Sequence, residues 1–187
     1  KVTAMIPLPM EREKGYLVMA TKNGLIKKTG SDEFANLRKM GLIAIALRED
    51  DELIGVELTQ GGSELMMATR MGQAIRFSEA DVRAMGRNSM GVRSIDLADG
   101  DEVIALAKVE EGKQVLAITQ NGYGKRTEID EFRTQSRGGK GLKNYNITAK
   151  TGNVAGCRVV ADNDDVMLIE NGGVIIRIPA ASINVYK

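Results

Sequence analysis

Short apolar runs of four to six residues, each closed by a polar turn, recur along the chain. Tyr16 to Ala20, Val115 to Thr119 and Val166 to Ile169 are examples. Helical spacing of the apolar positions is poor, and runs this short bounded by turn residues suit β-strands. Asn-Gly joins two such runs at Asn23-Gly24, Asn121-Gly122 and Asn171-Gly172, with Met71-Gly72 as a weaker copy. Both residue types tolerate positive φ, so each joint predicts a β-hairpin. Ser31 to Phe34 and Ser78 to Asp81 predict short helical turns, where serine can cap and acids favour a helix start.

The hairpins belong to a repeat of roughly 50 residues. Aligning Gly24, Gly72, Gly122 and Gly173 puts a cation four positions later each time: Lys28, Arg76, Arg126 and Arg177. A second marker follows the first three hairpins, at Leu37 to Leu42, Arg87 to Val92 and Arg137 to Leu142, with Gly41, Gly91 and Gly141 in phase. A third opens each unit, at Val2 to Ile6, Leu53 to Leu58, Val103 to Val109 and Val154 to Val160. The units run approximately 1–50, 51–100, 101–152 and 153–187, the last incomplete. About four strands per unit is a propeller-blade count, so the fold class is all-β. The pattern reads as a fragment cut from a longer array, whose terminal units are expected to be the least stable.

Composition removes several function classes. The sequence has no His and one Cys, Cys157, which excludes a Cys/His zinc site and any Ser-His or Cys-His catalytic pair. Cys157 lies in an apolar run and reads as a buried small hydrophobe. No apolar stretch approaches 20 residues and no signal peptide is evident, so a membrane segment is not expected. Gly139-Lys140-Gly141 lacks the spacing and the hydroxyl of a P-loop. The acidic pairs Asp50-Asp51 and Asp164-Asp165 lie in polar turns and read as solvated. The ten methionines, scattered through apolar strands, read as core filler.

Net charge is only +1, but charge is sorted by phase. Acids gather at the junctions, as in Glu49-Asp50-Asp51-Glu52, Asp101-Glu102 and Glu110-Glu111. Cations gather at the hairpins and the glycine markers: Lys27, Lys28, Arg38, Lys39, Arg76, Arg83, Arg87, Arg93, Lys125, Arg126, Arg133, Arg137, Lys140, Lys143 and Arg177. In a radial repeat one phase maps to one spatial band, so a basic stripe is expected, suited to phosphate backbones. The stretch Gln135-Ser136-Arg137-Gly138-Gly139-Lys140-Gly141 is its densest part. Its glycines would let the backbone approach a phosphate, with Arg137 a bidentate donor and Lys140 a point charge. Aromatics make up only 4% of the chain, which favours duplex DNA over base stacking on single strands.

These residues resemble the C-terminal domain of the DNA gyrase A subunit over essentially the whole chain. The resemblance rests on Met19 to Thr29, Asp51 to Val56, Val82 to Arg87 with Gly91-Val92-Arg93, and Thr119 to Thr127. It implies a β-pinwheel, a propeller-like fold of four-stranded blades that exchange strands with neighbours, here about three and a half blades. It implies wrapping of double-stranded DNA around the outer rim in support of negative supercoiling. The implied partners are the gyrase B subunit together with the remainder of the A subunit, in the cytoplasm. ATP and Mg would be used elsewhere in that complex. No catalytic residue, metal or cofactor is expected in this chain. The family's box is Gln-Arg-Arg-Gly-Gly-Lys-Gly, and Gln135 to Gly141 departs from it only at Ser136. The family carries its defining box in the first blade, so this copy reads as a later echo, in a chain lacking the first two or so blades. The alternatives are the equivalent domain of topoisomerase IV, or a propeller-like protein-interaction scaffold.

Overall fold

The turn chemistry sets the hairpins. A computed structural model describes residues 2, 4–6, 15–35 and 40–186. Strands β1 (Tyr16–Thr21) and β2 (Leu25–Gly30) form the first hairpin. Gly24 sits at φ 81° and its N–H donates to Thr21 O at 3.1 Å. The Thr21 hydroxyl oxygen accepts the Leu25 N–H at 3.2 Å. Thr69 and Thr119 do the same for Gln73 and Tyr123. No non-glycine among the described residues has positive φ. Asn23 and Asn121 are therefore not left-handed, and only the glycine of each turn takes the conformation other residues resist.

The sheets assemble across units. Strand β3 (Leu53–Thr59) pairs with β1, so the strand that opens the second sequence unit joins the hairpin before it. The second hairpin is β4 (Glu64–Thr69) with β5 (Gln73–Ser78). The two-residue strand β6 (Val92–Arg93) follows that hairpin in sequence but pairs back with β2 of the first. Strand β7 (Val103–Lys108) pairs with β4. After the third hairpin, β8 (Gln114–Thr119) with β9 (Gly124–Glu128), the short β10 (Leu142–Lys143) returns to β5. Strand β11 (Val154–Val160) pairs with β8, and β12 (Asp165–Ile169) with β13 (Ile175–Pro179) closes the series. The sheet orders are β3-β1-β2-β6, β10-β5-β4-β7, β11-β8-β9 and β12-β13. Every ladder is antiparallel, and each finished blade borrows a strand from its neighbour, which is the pinwheel arrangement.

The period of the glycine marker has a packing cause. Gly91 and Gly141 have φ of 102° and 76°. A Cβ on Gly91 would stand 2.5 Å from Ile26 O, and one on Gly141 would fall on Ala74 O. The marker thus admits a crossing chain onto the neighbouring hairpin. That role comes before any approach to phosphate.

The core lies between blades. On β4, Leu65 and Met67 join Val18, Ile26, Phe77 and Val103 on the side of the first blade. Met66 and Ala68 join Val115, Phe132 and Cys157 on the side of the third. Successive side chains of a strand point to opposite faces. A strand buried on both faces must be apolar at consecutive positions, and this is why the runs do not alternate. Met19, Met66 and Met67 fill the core as expected, whereas Met5, Met40, Met71, Met90 and Met167 are exposed. The helical turns form as 3-10 segments at Ser31–Phe34 and Glu79–Asp81, the latter capped by the Ser78 hydroxyl oxygen, which accepts the Ala80 N–H.

Candidate nucleic-acid interface

Strand β3 touches β7, and β7 touches β11. The sheets therefore converge along that edge, and β6 and β10 lie on the outer one. The marker loops there are tied in series. Ala46 N–H donates to Ser89 O at 3.1 Å, and the Arg87 guanidinium donates to Ile43 O at 3.3 Å. One unit later, Gly138 N–H donates to Ser94 O at 2.6 Å and Asp96 N–H to Gly139 O at 2.8 Å. Arg137 spans the same joint, with Nη1 on Arg93 O and Nε on Asp81 O, both at 2.8 Å. The result is a ribbon of loops held by backbone bonds along the outer edge.

The cations divide into two populations. Arg83, Arg93, Arg133, Lys140 and Lys143 are exposed. Arg93 faces Asp96 at 3.4 Å with its side chain 68% accessible. Arg137 is half-buried and occupied by two carbonyls, so it positions the loop beside Arg93. Gln135 lies half-buried beneath the loop, its backbone N–H donating to Arg76 O at 2.8 Å and its side-chain amide nitrogen buried. Gly138 and Gly139 supply the two backbone bonds of the joint. Arg87 is half-buried near Glu33. Lys125 lies over the Tyr145 ring at 5.8 Å, and burial pulls its pKa down. Arg38 and Lys39 lie outside the described residues.

The hairpin cations differ from the expected surface stripe. Lys27 is fully buried, donating to Ala44 O at 2.6 Å and to Arg87 O. Burial draws its pKa from 10.5 to about 8; the nearby Glu33 opposes this and Arg87 adds to it. Lys28 donates to Glu79 O at 3.0 Å and faces the buried Glu79 carboxylate at 3.7 Å. Arg76 donates to Ile129 O at 3.1 Å and Phe132 O at 3.4 Å and pairs with Glu64. Burial works to raise the Glu64 pKa, but hydrogen bonds from Thr134 and Arg76 outweigh it and hold the carboxyl low. Arg126 is buried, donating to Ile183 O at 2.8 Å and pairing with Asp162. Lys28, Arg76 and Arg126 clamp each hairpin to the 3-10 segment of the following unit or its cap, while Lys27 ties its hairpin to Ala44 and to the next marker loop. Arg177 stands in the same phase, 70% accessible, paired with Asp165.

Asp51 departs from the solvated reading, whereas Asp50, Asp164 and Asp165 are exposed. Asp51 is buried, and its Oδ1 accepts the Asn23 and Glu52 N–H groups, both at 2.9 Å. Asp101 accepts those of Met71 and Glu102 at 2.8 Å. They cap the hairpin turns, so the junction acids are drawn away from the marker loops by backbone donors. Arg48 went unnoticed in the sequence. It shares an outer cleft of about 470 Å³ with Arg93 and Met90. Its in-phase positions, Ala98 and Thr148, carry no charge, so the repeat gave no signal.

The family described as "DNA gyrase C-terminal domain, beta-propeller" matches residues 15–60, 63–110 and 113–161. The chain belongs to this family. The DNA gyrase A subunit of Halalkalibacterium halodurans is 58% identical over 184 residues, covering 98% of the chain and 22% of that protein. Its counterpart from Clostridium acetobutylicum is 48% identical over 184 residues, and that of Escherichia coli K12 42% over 185 residues. The chain thus spans about a fifth of the curated gyrase proteins it matches. The crystal structure of the C-terminal domain of DNA topoisomerase IV superposes with a TM-score of 0.91 at 28% identity, covering 97% of this chain and 57% of that one. The structure of a DNA gyrase A C-terminal domain gives 0.83 at 26%, covering 93% and 58%. Among the described residues no helix is long and apolar enough to cross a membrane.

Proposed function

We propose that this gyrase-family chain binds duplex DNA without sequence preference along its outer loop ribbon and bends it, supporting negative supercoiling by a gyrase complex. One observation carries this reading. Exposed Arg93, Arg133, Lys140 and Lys143 share an edge whose loops are fixed in series, while capping acids are held at the turns. Cations on a rigid curved edge contact phosphates and give affinity that falls steeply with salt, and a curved path rewards bent DNA. The hairpin cations Lys27, Lys28, Arg76 and Arg126 hold the scaffold; the marker-loop cations meet the DNA. The gyrase B subunit, with the rest of the A subunit, would supply strand passage, with ATP and Mg used there.

Binding of a long duplex measured by gel shift at two salt concentrations tests this. Affinity that drops with salt and is indifferent to sequence is expected. Absent or salt-insensitive binding overturns it. Sealing nicked circles in the presence of the chain tests bending separately, through a shift in linking number.

A further inference from the structure

We propose that the two joints between successive marker loops are locked by different donors at one equivalent carbonyl, the Lys27 ammonium in the first joint and the Gly138 N–H in the second. Lys27 is thereby a positioning residue for Arg48 and Arg93 on the outer edge. That last role rests on the DNA-binding reading above.

The joints match bond for bond in two places. Ala46 N–H on Ser89 O in the first joint has its counterpart, one unit on, in Asp96 N–H on Gly139 O. Arg87 on Ile43 O has its counterpart in Arg137 on Arg93 O. The third bond differs. Ser94 O accepts the Gly138 N–H at 2.6 Å, with Gly138 at φ 84°. Ala44 and Asn88 stand in phase with Ser94 and Gly138. No non-glycine among the described residues takes positive φ, so Asn88 does not reproduce the glycine's turn. Ala44 O accepts the Lys27 ammonium instead, at 2.6 Å.

The residue beneath the loop changes with the lock. Lys27 and Ile75 share a phase on their hairpins, and both are fully buried. A Cβ on Gly91 would stand 3.2 Å from Lys27 Cβ, and one on Gly141 would stand 3.4 Å from Ile75 Cβ. The two side chains therefore start from the same point under the same loop. Ile75 stays there: a Cβ on Gly139 would stand 3.8 Å from its Cδ1. Lys27 runs on to Ala44 O and Arg87 O, one from each chain of the joint. An ammonium offers three donors and no acceptor, and burying it is costly unless carbonyls take its hydrogens. An apolar residue serves where glycine closes the joint through backbone, and a lysine where asparagine stands in the glycine's place.

The lock bears on the outer edge. The chain at Ala44 leads to Arg48, and the chain at Arg87 leads to Arg93. Arg48 and Arg93 are exposed and line the same cleft, though they come from different units. Lys27 ties together the two chains that carry them while itself out of reach of solvent. Two guanidiniums held at a fixed separation suit neighbouring phosphates of a duplex backbone.

Swapping one lock for the other in the 187-residue chain carries the test. Lys27→Ile should quicken amide hydrogen exchange at Ala46 about tenfold or more and leave that at Asp96 unchanged. Affinity for a long duplex should fall about threefold or more. Adding Asn88→Gly supplies the glycine of the second joint and should return both readings to within about twofold of wild type. Adding Asn88→Ala should rescue neither. If Lys27→Ile alone does not fold, recovery of the fold by Asn88→Gly and not by Asn88→Ala supports the same lock. Unchanged exchange at Ala46, no rescue by glycine, or DNA affinity indifferent to a loosened joint would each overturn the proposal. A wild type that binds no DNA would overturn the reading beneath it, and exchange and rescue would still decide the lock.

Discussion

Arg76 and Lys140 both belong to the basic phases of the repeat, yet they sit in opposite surroundings. Arg76 is folded inward, with its guanidinium divided between Glu64 and two carbonyls of the next unit. Lys140 stands in solvent on the outer loop. The difference lies in backbone supply. The hairpin cation points at carbonyls at the ends of the next unit's 3-10 segment, and Ile129 O, which already accepts the Phe132 N–H, takes the guanidinium as a second donor. In the marker loop the Gly139 carbonyl accepts the Asp96 N–H, and the neighbouring lysine projects into solvent. Cations in one periodic pattern therefore meet two fates, an inward clamp and an exposed edge, decided by whether carbonyls of the next unit come within reach.

The largest expected effect breaks the inner half of this comparison. Arg76→Ala takes the guanidinium from Phe132 O and from Glu64, which keeps only the Thr134 hydroxyl among its side-chain donors, and should cost about 3 kcal/mol, read as a lower urea midpoint. Lys140→Ala should leave that midpoint within about 0.5 kcal/mol. A similar loss in both would erase the distinction. Gly141→Ala comes next. Its Cβ would fall on Ala74 O at positive φ, so a loss of about 2–3 kcal/mol is expected. Gly122→Ala also sits at positive φ but meets nothing within 4 Å, and should lose about 1 kcal/mol.

Lys27 sharpens the comparison through pH. Its pKa in the folded chain, about 8, lies below the 10.5 of the unfolded chain. Between those values the unfolded chain binds more protons, so stability rises with pH across that window. Wild type should gain about 2 kcal/mol on a Lys27→Met variant as pH climbs through it, seen as converging or crossing urea midpoints. A constant difference would mean that Lys27 titrates normally. The smallest effect belongs to the outer loops. Lys140→Ala with Lys143→Ala should reduce the log–log salt slope of DNA binding by about 1.8 with no change in fold. An unchanged slope would remove both lysines from the interface.

The fold was legible because its signals are local and repeated. Thr21-Lys22-Asn23-Gly24 specifies a turn in place, and the helical turn after Ser78 follows from its cap. Gly91 and Gly141 announced their period, but not their cause, which is a chain crossing set by Ile26 and Ala74 far away in sequence. The site was legible only as a phase. Whether a cation faces water depends on carbonyls some 50 residues ahead, as with Arg76 and Phe132, and no window on one unit contains both. Asp51 misled for the same reason: it looks like a solvated turn acid until the Asn23 N–H is brought against it.

The borrowed strands have a consequence for how such a protein changes length over time. The sequence that completes one blade is encoded after the hairpin of the next. Excising a visible blade would cut the gene in two places and orphan its neighbour. Excising or duplicating one sequence period would leave every donor matched to an acceptor. Blade number is therefore open to change by single recombination steps of one period, each lengthening or shortening the arc by one blade without a repair elsewhere.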